Sequence, residues 1–353
     1  MKNAIIFFKG LNDYIKGDFI NLVLCRFSQS NFPIDSVFTV SDEKKEEVTE
    51  FVSNIRQAYD NVIVLNYGCK KFKPYEIIDK SCIYNDSHGR DDFSLFVVEG
   101  DICERISSEV IPSLEKKYQV KYGKVIFKTY GIDEDKIRKI TDLIESKSEV
   151  RFNILSENLD CRVELVYNDK STKMDYDFAQ KEFITALKDY VYADSDVTLE
   201  KMLVDLLKLR KCVMSTAESF TGGNISARIT SVSGASSVFY EGIVSYNENS
   251  KRERLSVKEE SLKKFKPVSA QVAGEMAWGL VRDKKADIGI STTGIAGPNT
   301  DDSGFPVGLC FIGVAYGGEI KVYKYNFDGD RKSVVEKGTK TAMFLAIKCI
   351  KNI

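Results

Sequence analysis

The sequence predicts an α/β protein of more than one domain. Three observations carry this. The first 66 residues alternate strand, helix, strand, helix, strand, the pattern of a parallel sheet with crossover helices. From residue 212 onward the same alternation returns. Glycine is unevenly spread: seven of the 23 glycines precede residue 197 and sixteen follow it. Glycine supplies positive φ and close backbone approach, so ligand-shaping turns are concentrated in the C-terminal part. A length of 353 residues suits two or three domains, and we divide the chain at 1–118, 119–196 and 197–353.

The elements follow in order. AIIFF (4–8) is a buried-strand run, and SVFTV (36–40) is a second. Asp42 caps a helix that runs through Tyr59, and NVIVLNY (61–67) follows as a strand. FSLFVV (93–98) is another strand, with a helix near 101–117. Residues 120–190 read as a smaller α+β unit: strand KVIFKTY, helix DEDKIRKITDLIES, strands RFNILS and RVELVY, then a helix from Phe178 to Tyr190. A helix over Thr198–Arg210 places Leu199, Met202, Leu203, Leu206 and Leu207 on one face, with Thr198 as its N-cap. Beyond 212 the strands are VMSTA, SVFYEGIVSY, ADIGISTTG, LCFIGVAY and IKVYKYNF. Helices are expected over 224–232, 257–265, 270–284 and 334–350, the last opened by a capping box, Ser333-Val-Val-Glu336.

Composition narrows the function classes. Net charge is −1, so no basic field argues for nucleic acid, and the runs Lys70–Lys73, Lys116–Lys117 and Lys263–Lys266 read as solvated faces. Ala4–Phe8 is too short for a signal peptide core, and no run approaches the roughly 18 apolar residues of a membrane span. The eight cysteines are scattered without a Cys-x-x-Cys, which fits a reduced, cytoplasmic chain and gives no zinc site. The single histidine, His88, lies in a polar stretch far from every glycine-rich motif. That argues against a Ser-His-Asp triad and turns attention to lysine or a carboxylate as any catalytic base.

Four stretches could carry chemistry. Glu218-Ser219-Phe220-Thr221-Gly222-Gly223 follows a strand and precedes a helix, where backbone N–H groups can bind an anion and the hydroxyls of Ser219 and Thr221 add donors. Alone, it reads first as a capped helix start with glycines for packing. Gly234-Ala235-Ser236 ends the next helical segment; it reads as simple helix termination or as a nucleophile on a tight turn. Without histidine, the nearest base is Lys251, at the end of FYEGIVSYNENSK, read as a strand that returns Tyr246 and Lys251 toward Ser236. A lysine serves as base only if its pKa is lowered. Thr292-Thr293-Gly294-Ile295-Ala296-Gly297-Pro298 follows a strand directly, where open α/β sheets bind ligands. Asp328-Gly329-Asp330-Arg331 precedes the last helix, and Arg331 can hold a phosphate bidentately.

Taken together, AESFTGG, GAS, YEGIVSYNENSK, TGIAGP, PVG and GDR, in this order across 198–350, resemble the C-terminal domain of the CinA family, the nicotinamide mononucleotide deamidases. Two departures stand out. Phe220 stands where the family motif has cysteine, a change expected to be peripheral. The loop NTDDSGFPVG (299–308) has less glycine and lacks a lysine before its proline, which could alter substrate fit.

The resemblance implies hydrolysis of nicotinamide mononucleotide to nicotinate mononucleotide and ammonia, with no metal or other cofactor. It implies Ser236 as nucleophile, Lys251 as base and Tyr246 as its assistant. It implies Ser219, Thr221, Gly222, Thr293, Gly294 and Arg331 as substrate-binding residues, and a homodimer. More faintly, 1–118 resemble the family's molybdopterin-binding-like domain, and 120–190 its KH-like connecting unit. Lys9-Gly10-Leu11-Asn12 and Tyr67-Gly68-Cys69-Lys70-Lys71 lack the acidic residue and most glycines of that N-terminal site. A degenerate N-terminal domain is expected, without the ADP-ribose hydrolysis described for some members. The contrasting reading is a catalytically impaired nucleotide-binding or scaffold protein of the same family.

Overall fold

The computed structural model describes residues 2–10, 13–41, 45–68, 93–119, 122–157, 159–169, 171–300 and 304–351. His88, Cys69, Cys82, the run Lys70–Lys73, the cap Asp42, and Asp301 and Asp302 of the variant loop lie outside the described residues. The chain forms two compact units, Met1–Gly123 and Lys124–Ile353.

In the first unit the strands are β1 (Asn3–Lys9), β2 (Ser36–Ser41), β3 (Asn61–Tyr67) and β4 (Ser94–Val98), in the order β2-β1-β3-β4, all parallel. Strand residues alternate between two cores. Ala4, Ile6, Phe8, Val62 and Val64 pack with Val52 and Ile55 of α2 (Lys45–Ala58). Ile5, Phe7, Ile63 and Leu65 pack with Val23 and Phe27 of α1 (Gly17–Gln29). Ile106 and Leu114 join this second core from a helical run made of α3 (Ile102–Arg105), a π-turn (Ile106–Val110) and α4 (Ile111–Tyr118). A sheet covered on both faces has no polar side, which is why these strands read as unbroken apolar runs.

The second unit holds two sheets. The first has the order β6-β7-β5-β8, from β5 (Tyr122–Tyr130), β6 (Arg151–Glu157), β7 (Asp160–Asn168) and β8 (Val191–Ala193). It is covered by α5 (Glu134–Glu145) and α6 (Lys173–Leu187), the α+β arrangement expected. The second sheet has the order β10-β9-β11-β12-β13: β9 (Met214–Glu218), β10 (Phe239–Val244) and β11 (Ile288–Gly294) are parallel, and β12 (Leu309–Tyr316) and β13 (Glu319–Asn326) continue antiparallel. One face packs on α7 (Leu199–Arg210), α8 (Asn224–Ser231) and α12 (Arg331–Lys351). The other packs on α9 (Glu248–Leu255), α10 (Glu259–Phe265) and α11 (Ala270–Val281).

The two sheets share a core, so the boundary drawn at 196/197 does not separate compact units. Tyr130 and Tyr192 pack among the side chains of α7 and α12. The Tyr130 hydroxyl lies 2.9 Å from Thr341 Oγ1, and Lys340 pairs with Asp160 at 3.3 Å.

Three local expectations change. The stretch read as one strand through Lys251 ends at Val244, and Lys251 sits on helix α9. Its cap is Asn247, whose side chain accepts from the N–H of Asn249. The last helix begins at Arg331, and its cap is Asp330, which accepts from the Ser333 N–H at 2.8 Å and from its hydroxyl. Glu336 is not a capping partner: both its carboxylate oxygens accept from one nitrogen, Nη2, of Arg228 on α8.

Candidate active site

The carboxyl ends of three parallel strands converge on a buried polar centre. Ser219 follows β9, Ser245 and Tyr246 follow β10, and Thr292 and Thr293 end β11. This is the edge at which an open α/β sheet binds ligands. Lys251 enters it from α9. Only Lys251 and Leu255 of that helix are buried, one turn apart on the same face.

Lys251 is 2% exposed, and its ammonium is enclosed with it. It donates to Ser219 Oγ at 3.0 Å, to the Ser245 carbonyl at 2.6 Å and to the Tyr246 carbonyl at 3.4 Å. Three acceptors match its three protons, but none is a carboxylate. Burial therefore dominates and lowers its pKa from 10.5 to about 8, opposed only by the charge of Glu248. When the amine is neutral, two N–H bonds can stay on the carbonyls and the lone pair faces Ser219 Oγ.

The serine beside the lysine is thus Ser219, and the expected Ser236–Lys251 pair is not formed. Ser236 is exposed in a 3₁₀ turn, Ala235–Ser237, that feeds the amino end of β10. There the Val238 carbonyl accepts from Met214 N–H at the start of β9. Lys251 lies at the other end of the same strands. Five residue steps at about 3.3 Å place the two strand ends roughly 16 Å apart.

The turn after β9 owes its shape to Glu218, a residue of this site that the sequence reading left without a role. Its carboxylate is fully buried and accepts from the N–H groups of Gly223 (2.9 Å), Ile225 (3.1 Å) and Ser226 (2.8 Å) and from the Ser226 hydroxyl (2.7 Å). The start of α8 does bind an anion, as the motif suggested, but the anion is the protein's own. Gly223, at φ 96°, is the N-cap and has no side chain with which to cap.

The remaining expected residues fall into place around this centre. Thr221 Oγ1 is 2.7 Å from Thr292 Oγ1, and Thr293 Oγ1 donates to the Pro267 carbonyl at 2.8 Å. Both threonines are buried, and their hydroxyls brace the walls instead of offering free donors. Gly222 donates its N–H to the Ser219 carbonyl at 3.1 Å. The N–H groups of Phe220 and Thr221 meet no acceptor among the described residues. Gly294 pairs with Cys310 at the end of β11. Arg331 donates to the Gly297 carbonyl and, at 3.2 Å, to the Tyr246 hydroxyl. Tyr246 therefore meets the base through its carbonyl, while its exposed phenol stands on Arg331.

Phe220 is not peripheral to the fold. Its side chain is 4% exposed and packs with Ala296, Cys310, Phe327 and Val334. A Cβ at Gly338 would come within 2.5 Å of its ring. The Phe–Gly contact thus seats α12, which carries Arg331, directly on the turn that carries Ser219.

The fold and the site define an α/β protein with a buried Ser–Lys pair at the carboxyl ends of its parallel strands. A family model, the CinA C-terminal domain, matches residues 196–350. A CinA-like protein of Kosmotoga olearia is 32% identical over 312 residues, 85% of this chain and 72% of that protein. A protein named for competence-damage induction, from Caldicellulosiruptor saccharolyticus, is 36% identical over 247 residues, 69% of this chain and 60% of its own length. The crystal structure of a CinA superfamily protein from Klebsiella pneumoniae is similar at 29% identity and TM-score 0.43, over 44% of this chain and 97% of that one. The chain belongs to the CinA family. Among the described residues, no helix is long and apolar enough to cross a membrane.

Proposed function

We propose that this protein is an amidohydrolase that converts nicotinamide mononucleotide to nicotinate mononucleotide and ammonia, with Ser219 as nucleophile and Lys251 as base. The observation that carries the reading is the buried 3.0 Å contact between Lys251 Nζ and Ser219 Oγ. A hydroxyl becomes a nucleophile near neutral pH only beside a base, and a lysine lowered to about 8 is such a base. The substrate class rests on the resemblance of 198–350 to the family's deamidase domain.

In this reading Ser219 Oγ attacks the carboxamide carbon as its proton passes to Lys251 Nζ. The N–H groups of Phe220 and Thr221 stabilise the oxyanion. Collapse breaks the C–N bond, and the Lys251 proton leaves with the nitrogen as ammonia. Water then attacks the Ser219 ester, giving a proton to Lys251. The second collapse returns that proton to Ser219 and releases the carboxylic acid, which gives its own proton to solvent and leaves as the carboxylate. Arg331, cationic and at the open side near Tyr246, is the proposed phosphate contact.

The test is ammonia release from nicotinamide mononucleotide by wild type, Ser219→Ala and Ser236→Ala. The expected result is turnover by wild type and Ser236→Ala and none by Ser219→Ala. Loss in Ser236→Ala with retention in Ser219→Ala would restore Ser236 as nucleophile. Binding without turnover by wild type would favour the nucleotide-binding or scaffold reading.

A further inference from the structure

We infer that Glu218 is a positioning residue for Ser219, acting through the start of α8; the inference rests on the proposed role of Ser219. Glu218 closes the Ser219–Gly222 turn at both ends. On the strand side, its carbonyl accepts from the Ser245 N–H at 2.8 Å, and the next N–H, that of Ser219, donates to the Thr292 carbonyl at 3.0 Å. On the helix side, its carboxylate takes three backbone N–H groups and one hydroxyl of α8. A fifth donor, the Thr216 hydroxyl on β9, reaches the same carboxylate at 3.4 Å, so both oxygens are taken up by the protein itself. No residue within the turn has to supply the cap, so Ser219, Phe220 and Thr221 keep their Oγ and N–H groups for other partners.

The strand and helix ends joined by Glu218 fix the span of the turn. That span sets where Ser219 Oγ stands relative to Lys251 Nζ and to the two N–H donors that follow it. The same contacts close the start of α8 to any external anion, so the substrate's phosphate has to bind elsewhere in the site. A second tie supports the arrangement: Ser226 Oγ, which donates to Glu218, also lies 2.8 Å from Thr216 Oγ1 on β9.

The experiment compares Glu218→Gln, Glu218→Asp and Glu218→Ala with wild type. It has three readouts: kcat and KM for nicotinamide mononucleotide, melting temperature, and the rate at which a fluorophosphonate labels Ser219. Glutamine keeps the size but presents an amide N–H₂ to donors. Aspartate keeps the charge but is one methylene short. Misplacement of a reacting group by about 1 Å costs on the order of 100-fold. The expected result is a kcat loss of about 10- to 100-fold in Gln and Asp with KM within about threefold, and slower Ser219 labelling. In Glu218→Ala, added formate is expected to restore part of both rates by replacing the carboxylate.

A purely structural residue would lower the melting temperature while leaving kcat and labelling of the folded fraction unchanged, and that result overturns the proposal. If the Ala variant fails to fold, Gln and Asp decide it. Labelling also separates the two ideas. Wild type that labels at Ser219 without releasing ammonia removes the substrate reading, and the labelling rates of the variants still decide Glu218. Wild type that labels nowhere near Ser219 overturns both.

Discussion

Replacing Lys251 by methionine tests the centre of the site through two independent quantities. Methionine is unbranched and of similar length, so packing is retained while the charge is removed. The pKa of Lys251 falls from 10.5 to about 8 on folding, which corresponds to about 3 kcal/mol against the ammonium in the folded state. The sign follows from proton counts. Between about pH 8 and 10.5 the unfolded lysine holds its proton and the folded one has released it, so wild-type stability rises with pH across that window. Below about pH 8 both are protonated and the folded state bears the whole penalty.

The absolute difference between wild type and Lys251→Met is harder to assign, because the variant also leaves the Ser245 and Tyr246 carbonyls unpaired at about 1–3 kcal/mol each. That cost does not depend on pH. Urea unfolding of both proteins should therefore show the wild-type advantage growing by up to about 3 kcal/mol from about pH 7 to 11, whatever its starting value. Ammonia release supplies the second quantity. About one lysine in ten is neutral at pH 7 when the pKa is about 8. Wild-type kcat/KM should rise roughly tenfold from about pH 7 to 9 with a midpoint near 8, and Lys251→Met should lose turnover at every pH. Parallel stability curves would mean that Lys251 keeps an ordinary pKa. A flat rate profile, or an active methionine variant, would refute its role as base.

Other outcomes follow from the same geometry. Gly338→Ala should destabilise by about 1–3 kcal/mol through the clash with the Phe220 ring, and Phe220→Cys should relieve it, so that the double variant is more stable in urea than the sum of the singles predicts. Arg331→Ala should raise KM for the mononucleotide by about 10- to 100-fold while leaving KM for nicotinamide riboside unchanged; equal losses would exclude a phosphate contact. Tyr130→Phe removes the hydroxyl that ties β5 to Thr341 and to the Lys337 carbonyl of α12 and should lower stability by about 1 kcal/mol without changing kcat.

The fold was largely legible because its strands carry their own signal. AIIFF and the VIVL of NVIVLNY are buried on both faces, so burial leaves a continuous apolar run that needs no partner to be recognised. Helix α9 was missed for the opposite reason. Its inward positions are Lys251 and Leu255, and an inward lysine breaks the apolar period that would mark the face. The signal that could have found it was Asn247, an N-cap residue placed before a run of good helix formers.

The sequence by itself determined the α/β class, the order of the strands along the chain, the glycine-rich turns at their ends and the residue types of the chemistry: hydroxyls, a lysine and an arginine. The tertiary structure decided which hydroxyl meets the lysine. Ser236 is fifteen residues from Lys251 and Ser219 thirty-two, so proximity along the chain favoured the wrong partner. Parallel pairing of β9 with β10 brings together the two ends that share a direction, placing Ser219 and Lys251 at the carboxyl edge and Ser236 at the other. Strand direction, and not distance in sequence, sets which side chains can share a proton.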